Sequence, residues 1–295
     1  LESMSCPQCG TAIGIHLATQ KMLEADPAGV EHDGSRWVPC SNRSWECNWL
    51  VEQGAADARC FSCRLTRRRP EPGDTIALEK LAVTARDKRR LLLRLMTLGL
   101  PITPWYEREG GLGFDLLSSR SGHGPVRIGH ANGIITIDLA ESLDDHRERL
   151  RVQLGEPYRT MLGHFRHESG HYYQWILVEQ TDFITECREL FGDERASYAD
   201  AIARHYATGA PEGWRDHHIS EYATMHPWED FAETWAHYLH ITDTLGTLAS
   251  AGVDLNRRTM PGVLTHDIVP RISYAGVSSH EMLAAWSWCS KLHNR

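Results

Sequence analysis

The chain has 295 residues, 41% hydrophobic and 24% charged, with 39 acids against 31 bases. That acidic balance argues against nucleic acid as an obligatory partner, because neutralising phosphates takes a basic surface. No run of about 18 apolar residues occurs, so no transmembrane helix is predicted, and the start, LESMSCPQCG, lacks the basic and apolar regions of a signal peptide, which points to the cytoplasm.

Leu1 to Ser3 read as an artificial addition before a natural Met4 and are set aside. Residues 4–70 then form a cysteine-rich module. Six of the eight cysteines lie here: Cys6, Cys9, Cys40, Cys47, Cys60 and Cys63. In a reducing compartment, paired cysteines indicate metal rather than disulfides. CPQCG and CFSC are Cys-x-x-Cys knuckles, each able to grip one tetrahedral ion from a tight turn. A closed four-thiolate zinc site needs two pairs. Cys40 and Cys47 with Cys60 and Cys63 close it through short loops at least entropic cost; Cys6 and Cys9 with Cys60 and Cys63 join the two best knuckles. Cys187 and Cys289 stand alone and read as buried thiols. The basic run RLTRRR (64–69) reads as a solvated linker, the alternative being a phosphate-binding patch.

PEPGD (70–74) is a linker. Leucines at helical spacing then predict a helix from Thr75 to the stop signal at Gly99 and Pro101, docking the small module on the larger domain. Residues 102–133, rich in Gly and Ser, read as loops. IITIDL (134–139) reads as a strand, and 140–154, 159–180, 196–208 and 226–245 as helices. Pro227 suits a first helical position. The domain over 75–295 is mixed, with more helix than strand.

The stretch HFRHESGHYY carries the chemistry. On a helix His167 and His171 lie about 40 degrees apart on one face, so both imidazoles reach one ion. Glu168 beside them is placed to approach a water on that ion. This is the H-E-x-x-H arrangement of zinc hydrolases, in which the ion acidifies the water and polarises a carbonyl while the glutamate takes the proton. A catalytic zinc keeps an open position and needs a third protein ligand. Residues 174 and 177 are Gln and Leu, which excludes a metzincin histidine, so the third ligand comes from the 226–245 helix. There Glu229 and Glu233 share one side and the aromatics another. Glu229 is the expected ligand, with Glu233 accepting the free N–H of a ligand histidine. Tyr222, seven residues before Glu229, reads either as a donor for the developing oxyanion or as packing. His164 reads as packing or as a support behind the ligands, and His226, His237 and His240 as caps or core.

The segments FRHESGHYYQW, LFGDERASYADAI and ISEYATMHPWEDFAETWAHYLHI resemble a bacterial zinc-binding metallopeptidase family whose members carry an N-terminal zinc ribbon. The resemblance runs from about residue 75 to 290. It implies an α+β fold: a mostly helical, zincin-like, gluzincin-type peptidase domain behind a small ribbon. Tyr222 to Glu233 is also similar to the active site of lethal-factor-type metalloproteases, which implies the same roles for Glu229, Glu233 and Tyr222. RLTRRRP and CNWLV match the ribbon's closing motifs and CPQCG-x-x-I-G its second knuckle. The first knuckle has no counterpart, which favours Cys40, Cys47, Cys60 and Cys63 over Cys6 and Cys9. The resulting expectation is a metallopeptidase with one catalytic and at least one structural Zn²⁺, a peptide or protein substrate, and a ribbon able to contact a protein partner. The alternatives are a zinc amidase or isopeptidase, and a metal-stabilised module binding protein or nucleic acid without catalysis.

Overall fold

The computed structural model describes residues 2–120, 124–142, 160–258, 264 and 267–293. The chain forms two compact units, Leu1–Gln180 and Thr181–Arg295.

The first unit opens with two small antiparallel sheets: β1 (Ile13–His16) with β2 (Lys21–Glu24), then β3 (Val30–His32), β4 (Ser35–Pro39) and β5 (Leu50–Glu52). His32 pairs with Ser35 across Asp33 and Gly34, both at positive φ (48° and 78°), as a two-residue mirror-image turn requires. A short helix α1 (Phe61–Leu65) leads into β6 (Thr66–Arg68). The predicted long helix is α2 (Thr75–Thr97), with the Asp74 carboxylate accepting from Ala77 N at its start. Glu2 is not a bystander: its carboxylate pairs with Arg90 of this helix.

The stretch expected to be loop, 102–133, holds two strands, β7 (Gly113–Leu117) and β8 (Gly129–Ala131); β9 (Ile134–Asp138) is the expected strand. The sheet runs β6-β7-β9-β8, with β6, β7 and β9 parallel and β8 antiparallel at the edge. Asn132 and Gly133 turn β8 into β9 with φ of 48° and 82°. A Cβ at Gly133 would stand 2.4 Å from the carbonyl oxygens of Gly110 and Gly111, so only glycine fits. Helix α3 (Met161–Tyr173), capped by Thr160, lays Phe165 on Phe114 of β7, ring centroids 5.8 Å apart. It continues as a π-helical segment, Gln174–Glu179. Of the helix expected over 140–154, residues 143–154 lie outside the described residues.

The basic run is solvated as expected, with Arg67, Arg68 and Arg69 exposed, but it is no linker: it ends α1 and forms β6. Arg67 makes a forked pair with the buried Asp115 carboxylate (2.9 and 2.6 Å), Arg64 lies over Tyr106, and Arg69 over Trp45. Lys88 of α2 is fully buried and donates to Ser62 O (2.6 Å) and the Thr66 hydroxyl. Burial draws its pKa down to about 8.

The second unit contains α4 (Ile184–Phe191), α5 (Tyr198–Thr208), α6 (Pro227–Ser250) and α7 (Ser279–His293). Pro227 occupies the first turn of α6 and the His226 ring caps it, accepting from Trp228 N. Leu245 of α6 and Met282 and Cys289 of α7 share a core with Leu255 and Tyr274. Cys289 is the buried thiol expected, whereas Cys187 on α4 is only half-buried. Among the described residues no helix is long and apolar enough to cross a membrane.

Candidate metal centres

Cys40 follows β4, Cys47 precedes β5, Cys60 caps α1 and Cys63 lies on it. Three short elements thus bring together thiols separated by up to 23 residues. Their sulfurs all lie within 4.8 Å of one another. Cys47 to Cys60 is 3.5 Å and Cys63 to Cys47 3.7 Å. In a tetrahedral site with metal–sulfur bonds of about 2.3 Å, the sulfur–sulfur edge is about 3.8 Å, so the donor set and its spacing fit a zinc-class ion. The thiols cannot all ionise side by side. Hydrogen bonds from the other three hold Cys63 well below the usual thiol range, and burial pushes Cys60 well above it. A cation removes that conflict. Cys6 and Cys9 stand apart: Cys9 is exposed and donates to the Thr11 hydroxyl (3.2 Å). No third metal-binding side chain gathers around them among the described residues.

On α3, His167 and His171 are half-buried and Glu168 is 6% exposed. The Nε2 atoms of the two histidines face each other at 3.1 Å, with ring planes 82° apart. Two bonds of about 2.05 Å to one ion would then subtend about 98 degrees, near tetrahedral. The Glu168 Oε2 is buried with no hydrogen-bond partner among the described residues, a costly state unless a donor arrives. His164, earlier on the same helix, is half-buried.

His130 of β8 also belongs to this neighbourhood and was missed by sequence reasoning. Its ring centroid is 5.7 Å from that of Tyr172 and 5.8 Å from that of Trp175, and its Nε2 accepts from Gly133 N (3.1 Å). Burial, then the proximity of His171, lowers its pKa to about 4. It is therefore neutral, with its proton on Nδ1. The one sequence signal was its place beside the Asn-Gly turn.

In the second unit, Glu229 is 3% exposed and Asp230 9%, while Trp228, Phe231 and Trp235 are only half-buried. Asp230 was not foreseen; burial raises its pKa and His218 stands 3.8 Å away. Glu229 Oε1 accepts from the Tyr198 hydroxyl at 2.9 Å. Tyr222, in a 3-10 turn before α6, is half-buried; burial and the Glu229 charge push its pKa up, so its hydroxyl stays protonated. Tyr198 went unassigned in the sequence, although it sits in the LFGDERASYADAI motif. Glu233 is half-buried, and its carbonyl accepts from His237 Nδ1 (2.8 Å).

Residues 77–294 match the family described as "Putative zinc-binding metallo-peptidase", and residues 1–74 match a zinc-ribbon domain family. The first match covers most of the sequence, and the chain belongs to that peptidase family, with a zinc ribbon before it. It is also similar to uncharacterized proteins of Mycobacterium bovis and of two Mycobacterium tuberculosis strains. Each is 47% identical over 256 residues, covering 85% of this chain and 72% of the relative. No solved structure matches.

Proposed function

We propose that the chain is a zinc-dependent metallopeptidase of gluzincin type, hydrolysing an amide bond in a peptide or protein. The observation that carries this reading is the pair of Nε2 atoms held 3.1 Å apart beside a buried, unpartnered glutamate oxygen. His167 and His171 would hold the zinc, with Glu229 as third ligand. When bound, the metal supplies Lewis acidity toward a carbonyl and an acidified water. Glu168 accepts the proton at Oε2 and passes it to the leaving amine. The Tyr222 hydroxyl, kept protonated by burial and the Glu229 charge, donates to the oxygen on which negative charge develops. The Tyr198 phenol fixes the Glu229 carboxylate. Glu233 accepts the free N–H of a ligand histidine. Cys40, Cys47, Cys60 and Cys63 hold a second, structural zinc. The acidic balance of the chain, 39 acids against 31 bases, weakens the nucleic-acid alternative.

The test is elemental analysis of wild type, His171→Ala and Glu168→Gln, followed by peptide-library cleavage. Loss of one zinc in the first variant is expected, with unchanged metal but abolished hydrolysis in the second. Equal turnover by Glu168→Gln would sink the mechanism.

A further inference from the structure

A second pair of histidines shares the ring spacing and ring-plane angle of the motif pair, far from it in sequence and outside every motif. His16 ends β1 and His32 ends β3. Their ring centroids are 4.8 Å apart and their planes 79° apart; for His167 and His171 the values are 4.8 Å and 82°. Asp33, on the turn after β3, faces the same point: ligand-capable atoms of His16, His32 and Asp33 lie within 4.8 Å of one another.

Ordinary packing does not account for these contacts. His16 is 2% exposed, its Nε2 is buried with no partner among the described residues, and its Nδ1 meets the Thr19 hydroxyl at 2.8 Å. His32 Nε2 lies 3.5 Å from Asp33 Oδ2 and 3.5 Å from the Thr19 hydroxyl. Both are long for a hydrogen bond, whose usual N–O distance is about 2.9 Å. A gap of that size between nitrogen and carboxylate oxygen is close to the edge of a tetrahedron around an ion bonded at about 2.0–2.1 Å, roughly 3.3 Å. Trp37 stacks edge-on against His16 with centroids 4.2 Å apart, fixing the ring before any ion arrives.

We propose that His16, His32 and Asp33 form a metal site of their own, taking a divalent ion of the zinc class. Two neutral imidazoles and one carboxylate suit such an ion and leave a position for water. The ion would tie the β1–β2 hairpin to the β3–β4 hairpin, away from the four-cysteine cluster. A module this small has little core and is stabilised by such staples. The proposal does not depend on the peptidase reading.

The test uses the full chain carrying His171→Ala, which removes the motif site from the count. Zinc is titrated against a chromophoric chelator, alone and with His32→Ala or Asp33→Asn added. The expected result is one equivalent beyond the four-cysteine site, lost in His32→Ala and bound at least about tenfold more weakly in Asp33→Asn. Retention of the four-cysteine zinc is the check on folding. Should His32→Ala disturb the ribbon, Asp33→Asn decides alone, since asparagine tolerates the left-handed turn at φ 48°. Stoichiometry and affinity unchanged by the substitutions, or no extra equivalent at all, would overturn the site.

Discussion

His130 makes the first unit sensitive to acid, and the size of the effect follows from its surroundings. Its ordinary pKa of 6.5 falls to about 4 in the folded chain, first through burial and then through His171. The unfolded chain therefore binds the proton first as pH falls. Stability is complete above about pH 6.5, declines through the window from 6.5 to 4, and levels off below it. At about 1.4 kcal/mol per tenfold change in acidity, the loss attributable to this one ring is about 3 kcal/mol. Urea unfolding at pH 7, 5.5 and 4, with wild type and His130→Gln compared at each pH, reads it directly. The variant is less stable at pH 7, because glutamine fits the Gly133 N–H less well. Its decline toward pH 4 is nevertheless shallower by about 3 kcal/mol. Parallel declines, agreeing within about 0.5 kcal/mol, the scatter of a neutral surface substitution, would refute the assignment of His130 as a buried neutral ring.

Tyr198→Phe removes the donor to Glu229 without changing shape and costs about 1.5–3 kcal/mol, the range for a hydrogen bond to a charged group. Under the proposed ligand set this appears as weaker zinc binding in chelator competition; an unchanged affinity would remove the phenol from the site. Cys60→Ser loses the ribbon zinc and, because metal binding is folding energy, broadens or abolishes the ribbon's unfolding transition. A variant that unfolds like wild type with its metal count intact contradicts this. Gly133→Ala drives a methyl group into two carbonyl oxygens at 2.4 Å on a residue at φ 82°. A loss above about 4 kcal/mol or insoluble protein is expected, and a wild-type melting curve would show that the β8–β9 turn is not built as described.

The long helices were legible because their periodicity, caps and breakers agree: Asp74 before α2, and Pro227 and His226 at the start of α6. The histidine pair was legible because four-residue spacing on a helix leaves little freedom. Strands β7 and β8 were not read, since glycine and serine around them masked short runs of apolar residues. The Asn-Gly at 132–133, a strong hairpin signal, was passed over. The place of the basic run in the sheet was not legible because its partners, Asp115, Tyr106 and Trp45, lie up to 48 residues away in sequence. Tyr198 and His130 act through contacts of the same non-local kind. For the four cysteines, sequence spacing left two pairings open, and the family resemblance favoured the set that the fold gathers.

Strand β6 closes the ribbon in sequence, yet its hydrogen bonds go to β7, across the whole of α2. The Pro-rich stretch at 70–74 looks like a natural place to cut, but the sheet does not respect it. A chain begun at residue 75 would carry β7 as an open rim with unpaired amides and carbonyls, and Asp115 would lose the guanidinium that neutralises it. Such rims recruit strands from other molecules. The ribbon is thus also the edge guard of the sheet behind it, and the remainder of the chain made without it is expected to aggregate before its chemistry can be asked about.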